Sequence, residues 1–506
     1  MLEWWQSGEQ AGIRLTTLFA DASIRPVADV RETREREVKL SVPDGFELPE
    51  LPGEPLAPRV FTSTYLDTAD LTFARAGVTL RRRVENRVGV WQLKLPGDGE
   101  RLELEARGGP TAVPTGLAEL LVGLQRGRSL DRIAALRTRR SGVRVHADGV
   151  PVADVVLDDV AVLDGRRVRE CFSELEIEAL DGGGDALPGL QAALLEAGAR
   201  TGDGRPKAFR VIRLVLEQPV APARSAPASE HVRAAFETQV AALRRHDPGT
   251  RLGRDPEELH DLRVATRRLR AFLRAARPVL DPVWTASLRE ELRWLGGVLG
   301  PVRDLDVLTE RLRAELELLE PSERRAAARL LDFLDAERET ARAAMLVAMS
   351  DHRYILLVER LEAAAATLPT REASVTLADI AGKEFARLRR AVRALGPDPA
   401  DDELHDVRIR GKRARYAAEL AEGVVGKPAR RFVRAAKRFQ DVVGEHQDAV
   451  VAEERIRELL TRTRSPVAHL AGGRLVERAR TRRGAARRAF PRAWARLEKR
   501  GRWAWT

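Results

Sequence analysis

The sequence predicts an α+β chain made of two domains of different architecture. Three observations predict it. From about Arg31 to Pro219, short segments of alternating apolar and charged residues follow one another with Gly, Pro and Asp between them, the pattern of antiparallel strands. From Glu230 onward the apolar spacing is helical, and prolines punctuate it at intervals that fit the ends of roughly ten helices. Between the two, the run from Val220 to Ser229 is rich in Pro, Ala and Ser and reads as a linker. The domains are therefore 31–219 and 230–500, joined by 220–229, with residues 1–30 an extension that carries no assignment.

Composition limits the partners. The net charge is +11, which points to a polyanion: nucleic acid, an anionic membrane or polyphosphate. The excess is steep at the end, with twelve Arg or Lys against Glu477 and Glu498 from Gly473 onward. Cys171 is the one cysteine, so an intrachain disulfide and a Cys-based zinc site are both excluded. It is expected to pack on a strand. No apolar run is long enough to span a bilayer. Residues 1–30 carry Glu3, Glu9, Arg14, Asp21 and Arg25 without a continuous apolar core, unlike a signal peptide.

The strand segments are 34–41, 59–66, 77–85, 88–95, 100–106, 137–145, 151–162, 170–180 and 208–217, with helices near 115–123 and 186–199. The first organises the rest. Extended, Glu35-Arg36-Glu37-Val38-Lys39-Leu40 puts Glu35, Glu37 and Lys39 on one face and Arg36, Val38 and Leu40 on the other. Two carboxylates and an ammonium on a buried face need charged partners. A divalent cation would satisfy the acids, and a phosphate the lysine. Later strands alternate in the same way: Arg81 with Arg83, Lys94, Glu103 with Glu105, Arg137 with Arg139, Asp158, and Glu174 with Glu176 and Glu178. A solvent-facing surface accounts for any one of these strands. Seven charged faces of nearly pure Glu, Arg and Lys fit a closed barrel with a polar lumen better.

In chain order, Glu35-x-Glu37-x-Lys39, Tyr65-Leu66-Asp67-Thr68 with Leu80-Arg81-Arg82-Arg83, Trp91-Gln92-Leu93-Lys94, Arg101-Leu102-Glu103, Leu157-Asp158, Glu174-Leu175-Glu176 and Arg205-Pro206-Lys207 resemble the CYTH family, the triphosphate tunnel metalloenzymes. The match runs from about Arg31 to Glu217. It implies an eight-stranded antiparallel β-barrel whose tunnel binds triphosphates with Mg²⁺ or Mn²⁺. It implies Glu35, Glu37, Glu103, Asp158, Glu174 and Glu176 as the metal-binding acids. Lys39, Arg81, Arg83, Lys94, Arg137, Arg139 and Lys207 would hold the phosphates, and Glu35, Glu37 and Lys39 would be the catalytic residues. Arg137 stands where many members have lysine, and Pro206 where serine is usual; neither change removes a charge. Glu178 extends the acidic row as a rim residue. The implied chemistry is phosphoryl transfer to water, with no Ser or Cys nucleophile.

The helical half contains an internal repeat. Glu258-Leu259-His260-Asp261-Leu262-Arg263-Val264 matches Glu403-Leu404-His405-Asp406-Val407-Arg408-Ile409, and the segment 298–304 matches 442–448. Two pseudo-symmetric helical bundles follow. Each copy carries a basic stripe at helical spacing: His260, Arg263, Arg267, Arg270 and Arg274 in one, and His405, Arg408, Lys412 and Arg415 in the other. A solvated surface is the plain alternative; recurrence in both copies favours a polyanion groove. A metal-ligand role for His260 or His405 lacks a histidine partner at i+4. The stretch His260 to Arg270 and the second copy from His405 resemble the CHAD domain, over about Glu230 to Arg500. That resemblance implies binding of inorganic polyphosphate through these stripes.

The expected function is a metal-dependent hydrolase of inorganic triphosphate, tripolyphosphate to pyrophosphate and phosphate, carrying a polyphosphate-binding helical domain. The expected location is the cytoplasm, including polyphosphate granules, with no membrane partner. The alternatives are a class IV-type adenylate cyclase, a thiamine or nucleoside triphosphatase, and a polyphosphate-binding protein without turnover. Nucleic acid as partner is disfavoured, since charge alone suggests it and no nucleic-acid motif is present.

Overall fold

The structure is a computed structural model that describes residues 30–97, 100–202, 204–212, 221–372 and 374–505. The extension before residue 30 lies outside these residues. Ten strands form one antiparallel sheet: β1 (Val30–Glu35), β2 (Glu37–Ser41), β3 (Gly53–Asp67), β4 (Thr79–Glu85), β5 (Val88–Leu95), β6 (Arg101–Arg107), β7 (Asp131–Ala147), β8 (Val150–Asp164), β9 (Arg167–Ala179) and β10 (Arg200–Thr201). Their order is β1-β6-β5-β4-β3-β7-β8-β9-β2-β10. The two sides of this sheet meet in one chain segment. β1 pairs with β6, β2 pairs with β9, and only Arg36 separates β1 from β2. The expected eight-stranded closed barrel is thus corrected to a ten-stranded sheet that wraps round a lumen without a closed ladder. The first expected strand is broken in two, and β10 is a two-residue addition.

Turn chemistry fixes two of the long hairpins. Asn86 and Arg87 both have positive φ between β4 and β5, as do Asp148 and Gly149 between β7 and β8. Two consecutive positive φ values make the turn that matches the strands' own twist.

The apolar faces point outward and are covered by helices. Leu80, Trp91, Leu93 and Leu104 pack under α2 (Thr115–Gln125), which follows the short α1 (Thr72–Arg75). Leu40, Val155, Leu175 and Ile177 pack under α3 (Leu187–Glu196). Charged side chains are left to face inward, which is why the alternation is so clean. One end of the lumen is filled. Leu136, Val160 and Phe172 continue the inward rows of Thr138, Asp158 and Glu174, and Ala208 and Phe209 of α4 (Lys207–Val211) pack on them. The segment expected to be a strand at 208–217 therefore begins as a helix, and its remainder, 213–217, lies outside the described residues. Pro206 starts α4, and Ala208 and Phe209 supply its buried face.

The helical half comprises α5 (Ala228–Leu252), α6 (Pro256–Ala275), α7 (Pro282–Leu316), α8 (Pro321–Ser350), α9 (His352–Ala366), α10 (Leu377–Arg393), α11 (Asp401–Val425), α12 (Lys427–Leu460) and α13 (Pro466–Trp505). Successive helices pack in the same way within α5–α8 and within α10–α13, and α9 packs on α5, α7 and α8 of the first set. The first repeated motif falls on α6 and α11, which touch each other, and the second on α7 and α12. One large core joins both sets, from Phe236 and Leu269 to Tyr416 and Leu420.

The two halves are docked through α2. Gly123 comes so close to α5 that a Cβ there would sit 2.5 Å from Asp247 Oδ2. Beyond the end of α2, Arg126 donates to Glu362 of α9 at 2.7 Å, with its side chain 1% exposed. Asp247 in turn accepts from Arg251 at 2.6 Å and from the buried Tyr354 hydroxyl.

Candidate functional site

Strand register builds the site as rows. Tyr65 pairs with Arg81, Arg81 with Gln92, Gln92 with Glu105 and Glu105 with Arg31, so one row crosses β3, β4, β5, β6 and β1. The next row is Thr79, Lys94, Glu103 and Thr33. On the other side Glu37 pairs with Glu178, Lys39 with Glu176, and Arg140 with Asp158. Among the described residues, nine basic and seven acidic side chains line the resulting cavity of about 410 Å³. The signs interleave, but Glu37, Asp158, Glu176 and Glu178 gather on β2, β8 and β9, while Arg81 and Arg83 stand on β4.

The acidic wall is held together by cations. Arg140 makes a bidentate pair with Asp158 at 2.7 and 2.8 Å and also donates to Glu176 at 2.6 Å and Glu178 at 2.8 Å. Lys207 reaches Glu176 at 2.7 Å, Glu174 at 3.0 Å and Asp158 at 3.1 Å. Lys39 pairs with Glu176 and stands 3.3 Å from Glu37 and 3.5 Å from Glu174. Burial pulls Lys207 and Lys39 down, but the surrounding carboxylates outweigh it and hold both above the usual lysine value. Burial likewise opposes ionisation of Glu176, yet Lys207, Lys39 and Arg140 keep its carboxyl well below the ordinary range.

A second group lies at β1, β5 and β6. Lys94 bonds Glu35 at 2.5 Å and Glu103 at 2.8 Å. Burial and a hydrogen bond to Glu103 raise Glu35 far above an ordinary carboxyl, while Glu103 stays ionised. Opposite the acidic wall, Arg81 donates to neutral partners, Gln92 at 2.7 Å and Tyr65 at 3.1 Å. Arg83 lies over the Phe61 ring at 3.7 Å and meets Glu85 at 3.0 Å.

Glu35, Glu37, Lys39, Arg81, Arg83, Lys94, Glu103, Asp158, Glu176 and Lys207 all line the lumen, and Glu174 supports it through Lys39 and Lys207. Arg137 and Arg139 do not: both are exposed on the outer face. Leu136, Thr138 and Arg140 face inward instead. The run Arg137-Thr138-Arg139-Arg140 offers a basic residue in either register, and the pairing of Arg140 with Asp158 decides it. Glu178, expected at the rim, lines the lumen. Glu105, named above for its alternation with Glu103, lines it too, as do Arg59 and Arg101, and alternation along Arg101, Glu103 and Glu105 was the signal that could have found Arg101.

Oxygens of Glu37, Glu176 and Glu178 lie within 4.8 Å of one another. An all-carboxylate donor set suits a hard divalent cation such as Mg²⁺ or Mn²⁺. The residues therefore fit a metal, although only Glu37 and Glu176 of the expected acids belong to this cluster.

In the helical half the stripes converge, but only in part. Arg263 bonds Asp304 at 2.8 Å and the Gly300 carbonyl at 3.0 Å, which ties the repeat's two motifs to each other. Arg267 donates to the Tyr416 hydroxyl at 2.8 Å. Lys412 sits among Arg408, Arg267, Arg415 and Arg263; burial, then these cations, push it down to about 7. Arg270 and Arg274 lie apart, beside Arg289 and Arg293 in one case and Arg413 in the other. His405 Nδ1 is 2.7 Å from Gln447 Oε1, and burial and Arg303 lower His260.

The comparisons divide the chain at the same place as the fold. The CYTH domain family matches residues 33–205 and the CHAD domain family 234–457. An uncharacterized protein of Mycobacterium tuberculosis strain CDC 1551 / Oshkosh is 30% identical over 472 residues, 85% of this chain and 90% of that protein, and its counterpart in strain H37Rv matches equally. Among solved structures, PptA from Streptomyces chartreusis is 28% identical over 53% of this chain and 100% of its own, with a TM-score of 0.45. The CHAD domain from the plant Ricinus communis is 27% identical over 56% of this chain and 95% of its own, with a TM-score of 0.44. No helix among the described residues is long and apolar enough to cross a membrane. With a charge-lined tunnel followed by a two-fold helical repeat, and both families matched in that order, the chain belongs to the CYTH–CHAD proteins, a triphosphate-tunnel domain followed by a CHAD domain.

Proposed function

We propose that the tunnel hydrolyses inorganic triphosphate to pyrophosphate and phosphate, and that the helical domain binds inorganic polyphosphate. The observation that carries this reading is the opposition of two walls in one lumen. Glu37, Glu176 and Glu178 form an acidic cluster, and Arg81 and Arg83 stand on β4, four strands away round the sheet. A bound divalent ion would neutralise the substrate's charge and lower the pKa of an attacking water.

The protein's own part is to hold phosphate oxygens and to change partners. Arg81 has no carboxylate partner among the described residues, so its guanidinium is ready for a phosphate. Lys39, Lys207 and Arg140 neutralise the acidic wall. Were the acids to hold a metal, these three cations would be free to meet phosphate oxygens and to stabilise charge on the leaving group.

Two features favour a short inorganic substrate. The apolar plug around Phe209 closes one end of the lumen, which opposes threading of a long chain. Arg83 covers the Phe61 ring, and Arg140 lies 5.9 Å from its centre, so the ring is not free to stack on a base. In the helical half, Arg263, Arg267, Arg408, Lys412 and Arg415 form the cationic centre that supports polyphosphate binding.

The test is phosphate release with Mg²⁺ or Mn²⁺ from tripolyphosphate, ATP, thiamine triphosphate and long-chain polyphosphate. Preference for tripolyphosphate, abolished by EDTA and by Glu37→Gln, is expected. Equal or faster release from ATP would transfer the reading to a nucleotide substrate.

A further inference from the structure

The arginines of α13 fall into two sets. In its first half they are neutralised: Arg474 meets Glu323 at 2.8 Å, Arg480 meets Glu453 at 2.9 Å, Arg487 meets Asp401 at 2.6 Å, and Arg478 and Arg482 both pair with Glu315. From Arg488 onward the pattern changes. Among the described residues, Arg488, Arg492, Arg496, Lys499 and Arg500 make no ion pair with a carboxylate, and neither do Arg431, Arg434 and Arg438 on α12 facing them. These two rows line one groove of about 900 Å³ whose lining contains no acidic residue.

The spacing is regular. Arg488, Arg492, Arg496 and Arg500 recur every four residues, so they form one row that steps about 6 Å along the helix. Like charges at that spacing repel. Earlier in α13 the arginines are offset by acids from neighbouring helices, and here they are not. Between the rows the floor is Ala435, Ala485, Ala489 and Ala493. Small residues there leave the channel open between walls of guanidinium groups, which match phosphate oxygens in pairs.

We propose that the groove between α12 and α13 is a second binding site for a linear inorganic phosphate chain, separate from the cluster around Lys412. It takes its ligand class from the helical-domain reading above but uses other helices and none of the same residues. The lining has no aromatic side chain, whereas sites for single-stranded nucleic acid hold bases by stacking. The surface is a channel between two helices rather than a flat or convex basic face, so it fits a narrow chain better than a lipid bilayer.

The experiment uses the full-length protein and fluorescently labelled long-chain polyphosphate, read by anisotropy at two salt concentrations. Three variants are compared: a groove variant (R434Q, R438Q, R488Q, R492Q), a centre variant (R263Q, R267Q, R408Q), and both combined. All four groove positions are exposed, and circular dichroism and melting check that the fold is kept. The groove variant is expected to bind about tenfold or more weakly with a shallower salt dependence, the combined variant more weakly still, and Arg→Lys at the same positions to restore most of the loss. Wild-type affinity in the groove variant, or a combined variant no weaker than the centre variant, overturns the proposal. So does a groove variant that keeps polyphosphate but loses a mixed-sequence oligonucleotide or anionic vesicles. A centre variant that binds like wild type while the groove variant fails would sink the Lys412 cluster as a polyphosphate site and leave the groove standing. Phosphate release from tripolyphosphate, measured in the same preparations, reads the tunnel separately.

Discussion

Glu37 and Glu178 are direct partners across the β2–β9 ladder, and both side chains enter the tunnel beside Glu176. Like charges facing each other across a ladder cost stability, on the order of 0.2–1 kcal/mol. Glu37→Gln combined with Glu178→Gln should therefore leave the melting temperature of the metal-free protein unchanged or higher. Wild type should gain about 2.7 kcal/mol when Mn²⁺ is present at a hundred times its dissociation constant, and the double variant should gain almost none. Melting curves with and without MnCl₂ decide it. Equal stabilisation of both proteins would move the metal elsewhere.

Arg140 touches Asp158, Glu176 and Glu178 together. Arg140→Ala leaves buried carboxylates without their cation, and should cost about 3–5 kcal/mol in denaturant unfolding. Arg137→Ala and Arg139→Ala, on the exposed outer face, should stay within about 0.5 kcal/mol and keep phosphate release. The reverse ranking would return the lumen to the odd-numbered register of β7.

Lys412 should make polyphosphate binding depend on pH. Arg263 and Arg267 of α6 and Arg408 and Arg415 of α11 surround it, and Asp304 and Asp448 lie nearer to Arg408. Its folded value, about 7, lies below that of an unfolded lysine, about 10.4. Below pH 7 it is charged in both states and the folded protein bears the full repulsion. Between pH 7 and 10 the folded chain has lost a proton that the unfolded chain keeps, so this penalty lifts as pH rises. A phosphate chain restores the charge. Binding at pH 8 should take up close to one proton and at pH 6 almost none, as read by calorimetry in buffers of different ionisation enthalpy. Lys412→Arg should flatten this dependence. Persistence of the uptake in that variant would assign it to another group.

Arg126 should decide whether the two halves melt together. It is the buried cation between the end of α2 and Glu362, which keeps Arg244 at 3.2 Å as a second partner. Arg126→Ala should cost about 1–3 kcal/mol and split one calorimetric transition into two. A single transition at lower temperature would mean that the remaining contacts, Gly123 against Asp247 and Arg254 with Glu32 among them, suffice to hold them.

Much of the tunnel was legible because its two strand faces meet different environments. Leu80, Leu93 and Leu104 meet helices, whereas Arg81, Lys94 and Glu103 meet only the lumen, so period-two alternation separates them. Legibility failed where the pattern was degenerate. In Arg137-Thr138-Arg139-Arg140 both registers carry arginine, and only pairing with β8 chooses. It failed again at α4, where five residues are too few to establish a helical period. In the helical half, i and i+4 spacing assigns Arg263 through Arg274 to one face, but Arg263 and Arg267 stand beside Lys412, whereas Arg270 and Arg274 lie beside other arginines. Which arginines of α13 are neutralised depends on acids from α7, α8, α11 and α12, and spacing along α13 carries no trace of them.

The break at Arg36 also sets an order of assembly. The segment on either side of it is the first of the described strands to leave the ribosome and the last to find all its partners. β1 waits for Arg101–Arg107, and β2 waits for Glu174–Glu178, with six strands made between β2 and β9. Such distant pairings form slowly. Until β9 emerges, the row of Glu35, Glu37 and Lys39 has no opposite wall and is bathed in water, so the nascent chain carries its acidic centre in the open and encloses it only when the domain is almost complete.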